Sequence, residues 1–190
     1  MTGADLAASL IGRFVAGDRR AFDDLMRAEE DRVFAVCMRI MGSRADALDA
    51  TQDTFVTVFR KAHQYDGRAA VSTWLYRIAV NTCYDLLRKQ KRRPAEAYPE
   101  GFDPADTAAI DEMGAVELRP ELEDALARLP QEYRTAVILS DLHGLALPDV
   151  AEVLGVPVGT VKSRVFRGRR QLASIIGNRP GSPNHPNNDA

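Results

Sequence analysis

LPDVAEVLGVPVGTVKSRVFRGRRQL, residues 147–172, is the stretch that decides the architecture of this chain. Val150, Ala151 and Leu154 recur at helical spacing, and Gly155 supplies the left-handed residue that stops a first helix. Val156-Pro157 makes a tight turn, and Pro157 suits the start of a second helix. In that helix Val161, Val165, Gly168 and Leu172 fall at spacings of four, three and four, a stripe that faces its own domain. Thr160, Lys162, Ser163, Arg164, Arg167 and Arg170 spread over the open face, with Arg169 beside them. A short helix, a glycine turn and a basic second helix predict a helix-turn-helix that reads duplex DNA. Arg164 and Arg167 are placed to reach base edges, because a planar guanidinium matches guanine. Lys162, Ser163 and Arg169 are placed on the sugar-phosphate backbone, and Thr160 and Arg170 complete the expected surface. Gly159, Lys162 and Ser163 do not make a phosphate-binding P-loop, since Gly-Lys-Ser is not contiguous and no strand precedes it.

Working outward, every other element is helical. Apolar stripes predict helices over 120–129 and 131–142 just upstream, and over 4–16, 20–41, 45–64 and 72–92 in the N-terminal half. Gly42 reads as a helix stop and Ser43 as the next N-cap. The expected fold is all-α, with a helical bundle over 4–92 and the helix-turn-helix domain over 119–176. Between them, residues 93–118 are acidic and punctuated by Pro and Gly, as a flexible linker is. Residues 177–190 read as a disordered tail.

The chain of 190 residues carries 25 basic and 27 acidic side chains, a net charge of −2 that conceals strong segregation. Residues 63–93 are net +5, residues 94–129 net −8 and residues 156–177 net +5, the last without a single acid. Clustered basic charge is the footprint of a polyanion partner. No apolar run is long enough to span a membrane, and no secretory signal opens the chain. Cys37 and Cys83 lie on apolar helix faces and make no CxxC, so the expected setting is a reducing cytoplasm with both thiols as packing residues. His63, His143 and His185 are isolated, and no metal-ligand spacing or nucleophile motif occurs. Neither an enzyme nor a cofactor is expected.

Three further groups stand out. Asp46, Asp49 and Asp53 share one helix face, with Gln52 beside them. The loop after that helix carries Gln64, Tyr65, Asp66 and Arg68, in which Tyr65 suits either ordinary packing or stacking on a base. Asn81, Tyr84, Asp85 and Arg88 project from the next helix at spacings of three and four, while Trp74 beside Leu75 reads as core.

These blocks resemble a known family. GTVKSRVFRGRRQL is similar to the recognition helix of bacterial sigma factors of the sigma-70 family, extracytoplasmic-function class. Leu129-Pro130 with Arg134 resembles the entry to their region 4. AGDRRAFDDL, DALDATQDTF and YDGRAAVSTWLYRIAVNTCYDLLRK resemble successive parts of region 2, and AVSTWLYRIAVN resembles the sigma-M-like branch. The resemblance spans residues 4–176. Leu48 and Ala50 depart from the pattern, as do Ala146, which stands where Ser or Thr is frequent, and Pro157.

The resemblance implies that Asp46, Asp49, Gln52 and Asp53 dock on core RNA polymerase. It implies that Gln64, Tyr65, Asp66, Arg68, Asn81, Tyr84, Asp85 and Arg88 engage melted −10 promoter DNA, and that the helix-turn-helix reads the duplex −35 element. The acidic linker is either a spacer that resists collapse or, as the resemblance implies, a segment that enters the polymerase's basic channels, and an anti-sigma factor would hold the protein inactive. A different class, a helix-turn-helix regulator that binds an operator without acting as a polymerase subunit, would show neither the acidic docking face nor the −10 loop.

Overall fold

The computed structural model describes residues 3–92 and 120–177, which fall in two compact units. All regular structure among them is helical, and none of these helices is long and apolar enough to cross a membrane. The expected linker at 93–118 and the tail beyond 177 lie outside the described residues. Gly177 itself closes the last helix, one residue beyond the expected end.

The first unit is built from α1 (Gly3–Val15), α2 (Arg19–Met41), α3 (Arg44–Lys61) and α4 (Val71–Arg92). Its corners are set by capping. Asp18 accepts the Arg20 backbone N–H at 3.1 Å, and the Arg13 guanidinium grips the same carboxylate. That contact holds the Asp18 carboxyl below its usual range. Gly42, at φ 72°, ends α2 with its N–H on the Met38 carbonyl, and the Ser43 hydroxyl accepts the Asp46 N–H to start α3. Leu25, Val33, Val36 and Ile40 of α2 meet Ala47, Ala50 and Val58 of α3 and Leu75 and Ala79 of α4 in a closed core. Ala50, where the family pattern has a larger residue, is wholly buried, so the small side chain belongs to the interhelical packing. Cys37 and Cys83 are buried there too, as expected. The hydrogen bond with Cys37, then burial, pushes the Cys83 thiol up.

One buried charge was not foreseen. Glu29 on α2 is only 4% exposed, its Oε1 lies 3.6 Å from Arg32 and its Oε2 has no hydrogen-bond partner among the described residues. Burial pushes its carboxyl up.

The second unit contains α5 (Pro120–Ala127), α6 (Gln131–Val137), α7 (Leu147–Leu154) and α8 (Val158–Gly177). The helix expected over 131–142 changes character part-way. From Ile138 to Leu142 it widens into a π turn, with the His143 N–H on the Ile138 carbonyl. The Leu129-Pro130-Arg134 signature also has a local explanation. Leu129 is buried, Pro130 precedes the first turn of α6, and Arg134 Nη2 donates to the Leu129 carbonyl at 3.2 Å. The core joins Ala125, Leu126, Leu129, Val137 and Leu172.

Candidate nucleic-acid interface

The helix-turn-helix forms over the expected residues. Val150 and Ala151 are buried on α7, and Gly155 turns the chain at φ 63°. Val161, Val165, Gly168 and Leu172 are the buried residues of α8, the stripe read from spacing. Gly168 lies where α8 meets α6: a Cβ there would come within 2.6 Å of Val137 Cγ2 and 3.4 Å of the Tyr133 carbonyl. Ala146 stands at the N-cap of α7 and makes no side-chain cap.

On the outward side of α8, Lys162, Ser163, Arg167, Arg169 and Arg170 are exposed, and Thr160 is half-buried. The Ser163 hydroxyl donates to the Thr160 carbonyl at 2.8 Å. The arginines are not equivalent. The Arg164 side chain is only 23% exposed, with Nη2 3.7 Å from Glu132. Arg167 reaches the Tyr133 hydroxyl at 3.4 Å. Arg169 donates from Nε and Nη2 to the two carboxylate oxygens of Asp141, each at 2.8 Å. Sequence reasoning passed over Phe166, which is 67% exposed among these polar groups. The available signal was its place outside the apolar stripe. Phe166, Lys162 and Arg169 border a groove of about 360 Å³ floored by Leu145, Leu147 and Val165.

In the first unit the loop before α4 is ordered by its own side chains. Asp66 Oδ1 accepts the Arg68 backbone N–H at 3.1 Å, and Gly67 takes φ 74°. Tyr65 is half-buried, its hydroxyl donating to the Ala69 carbonyl at 2.7 Å and its ring 5.4 Å from that of Trp74. Burial raises its phenol. Trp74, read as core, is instead half-buried beneath this loop. Gln64 and Arg68 are exposed beside it. On α4, Asn81, Asp85 and Arg88 are exposed, Tyr84 is half-buried, and Asp85 is ion-paired with Arg88.

On α3, Asp49, Gln52 and Asp53 are exposed and Asp46 is half-buried near the N-terminus, where the helix dipole favours acids. Phe55 and Val58 of α3 are buried. Phe59 remains 48% exposed and closes a ring of aromatic contacts with Phe14 and Phe22, at 5.1 Å from each.

Comparison with known proteins assigns the two units. Residues 25–93 match Sigma-70 region 2, and residues 119–172 match Sigma-70, region 4. The chain is 40% identical over 170 residues to the ECF RNA polymerase sigma factor SigM of Mycobacterium tuberculosis, covering 90% of this chain and 84% of that one. The chain belongs to the extracytoplasmic-function sigma factors. This ECF sigma factor is also 36% identical to the sigma-E factor of Haemophilus influenzae, over 88% of its own length and 94% of the relative's. Its fold resembles the sigma factor RpoE of Bartonella quintana, solved in complex with the anti-sigma factor NepR (TM-score 0.64, 25% identity, 81% of this chain and 95% of that one). The matched proteins are transcription-initiation factors rather than enzymes.

Proposed function

We propose that this sigma factor binds core RNA polymerase through the α3 face bearing Asp46, Asp49, Gln52 and Asp53, and reads promoters with two separate surfaces. The loop bearing Gln64, Tyr65, Asp66 and Arg68, with Asn81, Tyr84, Asp85 and Arg88 of α4, takes melted −10 DNA. A base extruded from the stack needs an apolar platform and polar edges, and the Tyr65–Trp74 pair beside Gln64 offers both. The α8 surface, with Thr160, Lys162, Ser163, Arg164, Arg167, Arg169 and Arg170, reads the −35 duplex, and Phe166 adds an apolar contact suited to a thymine methyl.

The observation that carries this reading is the pairing of an exposed acidic face on one unit with an exposed basic recognition helix on the other, in a chain that matches both sigma regions in order. The domain limits that follow are 4–92 for region 2 and 119–176 for region 4, with 93–118 as linker. The complex of the related RpoE with NepR supports an anti-sigma factor as a second partner, and membership of the RNA polymerase sigma factors supports the cytoplasm as the setting. The identity to SigM supports a place near the sigma-M-like branch.

Reconstituted transcription tests the reading. Core polymerase with this protein initiates at discrete sites on a genomic fragment library, and replacing Asp49 and Asp53 together by Asn abolishes initiation while the helical content stays unchanged. If no fragment yields a transcript, while the protein alone footprints duplex operators, it is a regulator and not a polymerase subunit.

A further inference from the structure

Three of the five basic residues of α8 are engaged from one side, by α6 and its π turn: Arg164 by Glu132, Arg167 by Tyr133 and Arg169 by Asp141. The last differs in kind. Asp141 takes both Nε and Nη2 of Arg169 at 2.8 Å, the fork geometry in which a guanidinium binds a phosphate. The carboxylate is itself held, since the Ser140 hydroxyl donates to Oδ1 at 2.6 Å. Its side chain is 26% exposed, against 64% for Arg169, so the acid is the inner member of the pair.

Two consequences follow from this contact. Arg169 has its best phosphate-binding edge already filled, and a DNA phosphate that takes it must displace a carboxylate that then repels the DNA. The bond also spans 28 residues and joins the π turn to the middle of α8, next to Lys162 and Phe166 in the groove wall. It therefore adds a polar tie to the buried stripe that sets how α8 faces a groove.

We propose that Asp141 is a positioning residue for promoter reading, which withholds Arg169 from general phosphate binding and holds α8 in its base-reading orientation. The assignment rests on reading α8 as the −35 helix. Its effect is on discrimination. Each phosphate contact steepens the dependence of log affinity on log salt by about 0.9, so a withheld arginine is one contact fewer on any DNA sequence. That loss falls on every duplex alike, so the discrimination comes from holding the base-contacting side chains of α8 where only the correct sequence satisfies them.

The experiment uses holoenzyme assembled from core polymerase and the full chain. Two probes are used: a −35 duplex selected by wild-type holoenzyme from a random-sequence pool, and a scrambled duplex of the same composition. Asp141→Asn binds the scrambled duplex several-fold more tightly, with a salt slope steeper by about 0.9, and its preference for the selected duplex falls about tenfold. Asp141→Glu, which keeps the charge, retains the wild-type slope. Arg169→Ala on its own bares the Asp141 carboxylate toward the DNA and gives no gain on the scrambled duplex. In the double variant Asp141→Asn/Arg169→Ala the gain on scrambled DNA disappears. An altered fold would not produce a gain in affinity that depends on Arg169. The proposal is overturned if the double variant keeps the gain on scrambled DNA, or if Asp141→Asn leaves slope and preference unchanged. If wild-type holoenzyme selects no duplex, the promoter-reading assignment of α8 fails first, and that outcome is distinct from the other two.

Discussion

Gly168 shows how one residue without a side chain can decide a helix crossing. Alanine is the better helix former by about 1 kcal/mol, which favours Gly168→Ala in isolation. Against this stands a 2.6 Å approach to the Cγ2 of Val137, a buried β-branched side chain with little rotamer freedom. Overpacking of this kind costs about 1–3 kcal/mol, so the clash wins. Gly168→Ala lowers hydrogen-exchange protection of the α6 and α8 amides in the intact chain, and adding Val137→Ala restores part of it. Glu29 is the converse case, a charge the fold tolerates at a cost. Its carboxyl titrates higher in the folded chain than in the unfolded one, because burial outweighs Arg32. A raised pKa contributes stability below the unfolded value, near 4.5, and that contribution is lost as pH rises through the folded value. Glu29→Gln therefore raises the melting temperature of the first unit at pH 7, by about 1 kcal/mol of stability, and has little effect at pH 4. Equal shifts at the two pH values would contradict this. Neither residue's role was visible in sequence. Gly168 fell within the inward stripe, but periodicity does not report how close the opposing helix lies. Glu29 occupies a position that any solvated helix face could have offered.

Among the elements, α7 is the one whose ends were best read and whose start is weakest. Gly155 closes it in the left-handed conformation, while Ala146 leaves the first turn without a side-chain acceptor. Ala146→Ser supplies that acceptor and stabilises the second unit by about 1 kcal/mol. A rise in its denaturation midpoint checks this, and no rise would mean that water already serves those N–H groups equally well. Boundaries elsewhere were legible for the same local reasons: Ser43 and Gly42 act within one turn of themselves. The π turn at 138–142 was not legible. Its ILSDL sequence fits an ordinary α-helix, and only the bond that Asp141 accepts from Arg169 distinguishes the wider turn's role.

At the scale of the molecule, charge segregation is the feature with the widest consequence. Two blocks of net +5 flank one of net −8, so a near-neutral chain carries two separate basic blocks with the charge a polyanion partner would need. The acidic residues between the units are expected to occupy the polymerase channel before RNA does. Replacing Asp103, Asp106, Asp111 and Glu112 by their amides then changes the ratio of abortive to full-length transcripts and leaves the choice of promoter untouched. An unchanged ratio would reduce that segment to a spacer. Sequence alone determined the two helical units, their caps, the inward stripe of α8 and the sigma-70 motifs, because spacing and capping act within a few residues. The tertiary structure alone decided which arginines are already held, that Phe166 stands exposed, that Tyr65 lies on Trp74 and that Glu29 is buried. Those properties depend on the angle and depth at which helices cross. Such contacts join residues as far apart as Tyr133 and Arg167, and no local pattern records them.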